Sequence, residues 1–569
     1  HCVTGVQTCA LPISMGAVAV TEQAIINEAH ERGMVVPNRK ERLTDEDTQA
    51  AGAYVAYPKK GIHEWVGAID INSLYPSAIR ALNMAPETII GQLRPIMTDR
   101  YIKDKMNSGA SFAAAWEGLF GSLEYEAVMA GESSTEITID WEVDGSSEIC
   151  SAADVWRVVF DSNKPWTISA NGTIFTYERK GIIPGLLERW YAERKQMQAK
   201  LKEATTPEDQ EYWDKRQLVK KINLNSLYGA ILNPGCRFFD KRIGQSTTLT
   251  GRQIVKHMSA YLNEAIAGEY DHTGESIIYN DTDSAYFSAW PILRKDKEMA
   301  KNWNKDTAIE IYDQLGESVN SSFPEFMERA FHCPRKNGEI IKAGRELIGD
   351  RSIFITKKRY AINIFDKEGK RKDSEGKKGD IKAMGLDLKR ADTPKYVQEF
   401  LMDVLEMVLQ HGKNRDDIIE RVKEFKRVMT AQDSWTKGSP KSVNKLTYYG
   451  DLEAASKTGR ANMPGHVRAA LNYNYLRSAN GDNYSMKIVD GMKVIVCKLK
   501  HNPMGFTSVA YPVDELRLPQ WFKELPFDDS EMEATIIDLK LKNLIGVLEW
   551  DLNSTTENTT FNKLFDFGD

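Results

Sequence analysis

Ile277 to Trp290 reads IIYNDTDSAYFSAW, and within it two carboxylates, Asp281 and Asp283, flank a single threonine. Apolar residues run up to Tyr279 and resume at Ala285, Tyr286 and Phe287. Two short strands joined at an acidic tip account for the pattern, because alternate residues of an extended chain share one side. Like charges held so close raise each other's pKa and repel, so the pair calls for a counter-ion. An oxygen-only ligand set favours a hard divalent cation, magnesium or, in its place, manganese. The competing reading is an ordinary hairpin turn, which Asp and Thr also favour.

Other segments carry the groups such a site would use. AIDINSLYPSAIRALNMAPETI, Ala68 to Ile89, ends an apolar strand-like run at Asp70 and then turns helical. Leu186 to Leu201 is a basic helix with Arg189, Arg194, Lys195 and Lys200. A polar turn around Thr205 to Asp209 leads to a second helix, from about Glu211 to Tyr228. On it Lys221, Asn225 and Tyr228 are spaced i, i+4 and i+7, hence share a face. Two antiparallel helices on a short loop are the natural unit.

In this order, Asp70-x-x-Ser-Leu-Tyr-Pro-Ser, Lys221-x-x-x-Asn225-Ser-x-Tyr228-Gly229 and Asp281-Thr282-Asp283-Ser284 resemble the signature set of family B DNA polymerases. The flanking text is similar to the replicative enzymes of T4-like bacteriophages. The resemblance implies an α+β fold of right-hand architecture, with an antiparallel-sheet palm, two-helix fingers and a mostly helical thumb. The expected divisions are 1–47 (artefact-like segment and linker), 48–184 (palm, with an insertion) and 185–230 (fingers). They continue as 231–385 (palm), 386–558 (thumb) and 559–569 (a clamp-binding tail).

By resemblance, Asp70, Asp281 and Asp283 are catalytic, with Asp70 and Asp283 the direct ligands of two magnesium ions. Such ions sit roughly 3.5–4 Å apart and clamp a phosphoryl transfer symmetrically. Leu74, Tyr75, Arg194, Lys221 and Asn225 would bind the incoming nucleotide, since phosphoryl transfer is catalysed mainly by charge and positioning. The Tyr75 ring would exclude a 2′-hydroxyl, the group that separates RNA from DNA substrates. Tyr228 and Gly229 would lie at the nascent base pair, and Gly52, Lys358, Arg359 and Tyr360 along primer and template. The implied partners are primer–template DNA and dNTPs, held through backbone contacts without sequence preference. Three positions depart from the family pattern: Ala50 stands for a tyrosine, Gln198 for a lysine, and Asn280 for a hairpin glycine. Asn adopts positive φ more readily than other side chains.

The chain has 569 residues, enough for two to four domains. A 41% hydrophobic and 27% charged composition is that of a folded protein. A net charge of -6 argues against nonspecific coating of nucleic acid, though not against a basic cleft. Six scattered cysteines lack metal or disulfide spacing and fit reducing conditions. No run is long and apolar enough to span a bilayer, so no membrane partner is expected. The resemblance places a phage-encoded enzyme in the bacterial host cytoplasm.

The first fourteen residues, HCVTGVQTCALPIS, are similar to translated adapter read-through rather than a signal peptide. Family members of the resembled type carry a proofreading exonuclease ahead of the palm. Its carboxylate signature is missing here, so proofreading is expected from a truncated domain or a separate exonuclease. The tail NTTFNKLFDFGD exposes Leu564, Phe565 and Phe567, and exposed apolar side chains ask for a partner. The resemblance implies a sliding clamp; packing back on the thumb is the alternative.

Between these landmarks, Thr21 to Arg32 reads as a short helix, and 94–177 as an insertion. That insertion has helix-like residues from Ala110 to Phe120, strand fragments up to Trp156 and Phe160, and a hairpin turn at Asn171-Gly172. A helix starts near Thr250, and others cover Asp306–Leu315 and Pro324–Arg329. SIFITKKRYAINIFDKEGK reads as paired strands joined at Asp366 to Gly369, followed by a lysine-rich solvated loop. Helices cover Pro394–His411 and Arg415–Met429. Other functional classes fit less well. An RNA-synthesising palm enzyme conflicts with Tyr75, and an inactive replisome component conflicts with retaining Asp70, Asp283 and Lys221 together. A nuclease has no use for a nucleotide-binding helical hairpin.

Overall fold

A computed structural model describes residues 16–39, 52–95, 108, 136–159, 161–450 and 462–550. The expectations placed on the first fourteen residues, on Ala50, on Ala110–Phe120 and on Leu564, Phe565 and Phe567 lie outside these. The chain divides into two units, residues 1–57 with 67–348, and residues 58–66 with 349–569.

The first unit opens with α1 (Ala17–Glu31), whose Ile25 and Ala29 are fully buried. Strand β1 (Gly61–Ile71) runs into α2 (Leu74–Ala81) through Ser73, which takes a left-handed conformation at φ 49°. An insertion follows as a five-stranded antiparallel sheet, order β4-β3-β2-β6-β5. Its strands are β2 (Ile89–Pro95), β3 (Glu136–Trp141), β4 (Ser147–Ser151), β5 (Trp166–Ile168) and β6 (Thr173–Thr176). The expected turn at Asn171-Gly172 is present, with Gly172 at φ 79° and its N–H donating to Ser169 O. Ala152–Val159 is helix α3 instead of the expected strand. Ser151 caps it, its hydroxyl accepting from the Asp154 N–H while the Asp154 carboxylate accepts from the Ser151 N–H. That reciprocal pair is a helix-start signal in the sequence itself.

Helices α4 (Ile182–Glu203) and α5 (Pro207–Ile231) form an antiparallel hairpin. Thr206 caps α5 by accepting the Asp209 N–H, and Pro207 occupies its first turn, where a missing N–H costs nothing. Across the hairpin Lys220 pairs with Glu193, and Lys200 sits 4.5 Å from the Trp213 ring centre. Helix α6 (Lys241–Ala267) begins nine residues before the expected Thr250, capped by the Asp240 carboxylate. Gly244 and Gly251 look like breaks but are points of close packing: a Cβ at Gly244 would meet Leu232 Cδ2 at 1.9 Å.

Strands β7 (Ile277–Asp281) and β8 (Ser284–Phe287) form the expected acidic hairpin. Helix α7 (Lys305–Phe331) is continuous through Pro324, where two helices were expected. Its buried face, Val319, Phe323 and Met327, carries across the proline, and that packing outweighs the roughly 3 kcal/mol a helical proline costs. Tyr312 of α7 is fully buried against Phe287 and Gly67. A Cβ on Gly67 would lie 2.5 Å from Tyr312 Cδ2 and 3.0 Å from Phe287 Cζ. Gly67→Ala is therefore expected to destabilise the first unit by about 1–3 kcal/mol, read as a lower urea midpoint at unchanged slope.

In the second unit, β9 (Ala343–Thr356, its later residues) pairs with β10 (Arg359–Lys367) through a turn at Lys357-Lys358. Strand β10 also pairs with β11 (Lys370–Arg371), across the Glu368-Gly369 turn the sequence indicated, and with β12 (Asp380–Met384). In the lysine-rich stretch, Arg371 pairs with Asp373 and Lys378 donates to Gln410 O. Helices α8 (Lys395–Leu409) and α9 (Arg415–Thr430) match the sequence reading closely and share a core in which Phe400 stacks on Phe425 at 3.9 Å. The remainder is less helical than expected. Helix α10 (Gly465–Ala479) covers a three-stranded sheet of β13 (Ser439–Ser442), β14 (Lys493–Lys498) and β15 (Ser508–Pro512). The four cysteines among the described residues are free thiols. Among the described residues no helix is long and apolar enough to cross a membrane.

Candidate active site

The first unit's sheet brings the predicted carboxylates together. Strand β1 pairs antiparallel with β8 in the register Gly67↔Phe287, Ala68↔Tyr286, Ile69↔Ala285 and Asp70↔Ser284. The Ile71 N–H donates to Asp283 O at 2.9 Å. Asp70 and Asp283, far apart in sequence, are thus neighbours at one end of adjoining strands, and both are half-buried.

The hairpin tip is tight. Asp281 pairs with Ser284, leaving Thr282 and Asp283 as a two-residue turn. Positive φ at the first position of such a turn normally selects glycine, yet Thr282 holds φ 62°. The Asp283 N–H reaches back to Asp281 O at 2.7 Å, and Tyr54 O accepts the Thr282 N–H at 2.8 Å. Asn280 does not supply the turn geometry expected of it. It is a buried strand residue whose Nδ2 donates to Ser259 Oγ at 2.6 Å, tying the hairpin to α6. The side chain that replaces glycine there is used for anchoring.

Tyr75 lies on α2, directly after the turn from β1. Its ring centre is 4.6 Å from that of Tyr228, at 36° between planes. A Cβ on Gly251 would meet Tyr75 Cε1 at 3.0 Å, so the glycine lets the ring lie against α6. Burial first, then the Asp283 charge, push the Tyr75 hydroxyl up to about 12, with Arg252 opposing. It is a neutral ring at ordinary pH. Burial also raises the pKa of Tyr228, which is hydrogen-bonded with Thr248. Leu74 is buried beneath.

The helical hairpin places its residues unequally. Lys221, Asn225 and Gly229 are exposed along α5, whereas Tyr228 turns inward to Tyr75. Arg194 is half-buried, and its Nε donates to Gln217 Oε1 at 3.3 Å across the hairpin. Burial lowers its pKa, with Tyr191 opposing. Lys195 is exposed and leans on the Tyr191 ring at 5.5 Å. Gln198 is half-buried.

The remaining predicted residues are elsewhere. Gly52 is exposed, and its carbonyl accepts from Arg252 Nη1 at 3.3 Å. In the second unit Lys358 occupies the β9–β10 turn at φ 60°. Arg359 donates to Asp387 Oδ2 and Asn543 O, each at 3.4 Å. Tyr360 is 4% exposed and stacks on Phe354 at 5.2 Å. Arg359 and Tyr360 are therefore built into the second unit's own packing.

Among the described residues no group of three or more His, Cys, Asp or Glu side chains is arranged to hold a metal ion. The expected three-carboxylate cluster is absent there; what the strands place side by side is the pair Asp70 and Asp283. Magnesium usually takes one or two protein carboxylates and completes its shell with water and substrate phosphates. The pair fits that donor set.

The chain belongs to DNA polymerase family B, whose model matches residues 8–504. It is similar to the DNA-directed DNA polymerase of Enterobacteria phage T4, at 26% identity over 88% of this chain and 55% of that protein. The enzyme of the same description from Escherichia phage RB69 is 27% identical over 86% of this chain and 53% of its own length. DNA polymerase 1 of Pyrococcus abyssi is 25% identical over 71% of this chain and 38% of its own length. The chain thus spans about half the length of the two phage relatives.

Proposed function

We propose that this chain is the polymerising portion of a replicative DNA polymerase that extends a primer 3′-hydroxyl by template-directed addition of deoxynucleotides, with release of pyrophosphate. The observation that carries the reading is the strand register that brings Asp70 beside Asp283 under the Tyr75–Tyr228 pair. Asp70 and Asp283 would hold magnesium, which when bound lowers the pKa of the primer hydroxyl and neutralises charge on the triphosphate. Asp281 supports the turn between them. Lys221 and Asn225 face the triphosphate from α5. Arg194, held by Gln217, gives that role in part to Lys195. The sheet is then the palm, α4 and α5 the fingers, and residues 386–558 the thumb.

Lys358 at its turn would touch the primer strand, with Arg359 and Tyr360 bracing it from behind. Gly52 would approach the template backbone. Leu564, Phe565 and Phe567 would dock on a sliding clamp, and a proofreading exonuclease would act from another domain or polypeptide.

The test is extension of a primed template with dNTPs and magnesium. Full-length product that depends on template and metal supports the reading; DNA binding without extension refutes it. Lys221→Ala should raise the KM for dNTP about 10- to 100-fold with primer–template affinity unchanged, because one charge-assisted phosphate contact is lost. Equal KM values would remove Lys221 from the site.

A further inference from the structure

Arg252 lies on α6 and is 8% exposed. Its Nη1 donates to Ala53 O at 2.9 Å and to Gly52 O at 3.3 Å. The guanidinium carbon stands 5.4 Å from the Tyr54 ring centre, a cation–π distance. Downstream of this grip the chain runs along the end of the acidic hairpin. Tyr54 O accepts the Thr282 N–H, Val55 bridges Asp281, and the Ala56 N–H donates to Asn280 O at 3.1 Å. Residues 54–56 act as a splint on the turn that separates Asp281 from Asp283.

That turn needs one. A β-branched residue at positive φ costs on the order of 1–3 kcal/mol and persists only where its surroundings over-determine it. Thr282, at φ 62°, is such a residue. A planar guanidinium serves two carbonyls and an aromatic face at once, which a lysine ammonium does less well. We propose that Arg252 is a positioning residue: by gripping the Gly52 and Ala53 carbonyls it holds the Tyr54 carbonyl over the Thr282 amide and fixes the backbone that carries Asp281 and Asp283. Its effect on synthesis rests on the functional reading above; its effect on the turn does not.

Two readouts keep those apart. Hydrogen exchange in a peptide spanning 277–287 reports the Thr282 amide without any need for activity. Arg252→Ala should speed exchange at 280–284 about tenfold or more, leaving peptides from β1 and the rest of α6 unchanged. In primer extension the same variant should lose about 10²-fold in kcat, as a misplacement near 1 Å does, with KM values for dNTP and DNA within threefold. Free guanidinium ion should restore part of that kcat, and Arg252→Lys should not. Arg252→Ala and Thr282→Gly should be non-additive, since glycine removes the strain the splint resists. If Arg252→Ala does not fold, Arg252→Lys supplies the exchange readout. Unchanged exchange at 280–284 in the folded variant overturns the proposal, as does full additivity with Thr282→Gly. An unmodified protein that shows no extension would sink the functional reading and leave the exchange test standing.

Discussion

Asp283→Asn should lower kcat for nucleotide addition on the order of 10³-fold, which corresponds to about 4 kcal/mol of lost transition-state stabilisation. The substitution keeps the shape and one carbonyl oxygen but removes the charge. Asp283 follows directly on the strained Thr282, and its backbone carbonyl is held by the Ile71 N–H. The asparagine side chain therefore starts from the same place, and a loss of rate reads as a loss of charge. Primer–template affinity should change less than about threefold, because DNA binding draws mainly on phosphate contacts from basic groups. Stability to urea should be nearly unchanged, since the carboxylate is only half-buried. Asp281→Asn, at a strand end on the far side of the turn, should cost closer to about tenfold. Single-turnover extension with all three proteins decides it. An Asp283→Asn enzyme within tenfold of the unmodified rate would remove this carboxylate from the chemistry.

The parts of this site that were legible in the sequence are those where local pattern and final contact coincide. The acidic hairpin is one, because apolar residues on both sides of Asp281 and Asp283 could only be paired strands. The helical pair is another: Thr206-Pro207 and the spacing of Lys221, Asn225 and Tyr228 are written within single helices. Long-range consequences were harder to read. Asn280 looked like turn chemistry, but its partner Ser259 lies on a helix whose start was misplaced because Gly244 and Gly251 resemble breaks. With α6 cut short, neither Gly251 under Tyr75 nor Arg252 behind Tyr54 could be connected to the site. Tyr360 and Arg359 looked like surface contacts because they adjoin lysines. Their partners Phe354, Asp387 and Asn543 come from other elements of the second unit. A motif names residues that matter without saying which of them face out.

The same geometry makes Tyr75 the residue whose removal should most change what the site accepts. Its ring is held on one side by Tyr228 at 4.6 Å and on the other by the open Cα of Gly251. The helix that carries it starts two residues after β1, so the ring is fixed by the strand that positions Asp70. A ring that cannot retreat rejects a sugar hydroxyl by volume, and its own hydroxyl, neutral with a pKa pushed up to about 12 by burial and by Asp283, is not needed for that. Tyr75→Ala should therefore raise kcat/KM for ribonucleotides about 10²-fold, in the range that steric discrimination by a pocket supplies. Deoxynucleotide incorporation should fall less than about tenfold, reflecting looser packing of Tyr228. Tyr75→Phe should keep the unmodified discrimination, because it preserves the ring and deletes only an oxygen. Incorporation of each nucleotide class opposite a single template base measures all three variants. If Tyr75→Ala selects deoxynucleotides as strongly as the unmodified protein, the sugar does not sit over this ring, and the pairing of Tyr75 with Tyr228 is packing alone.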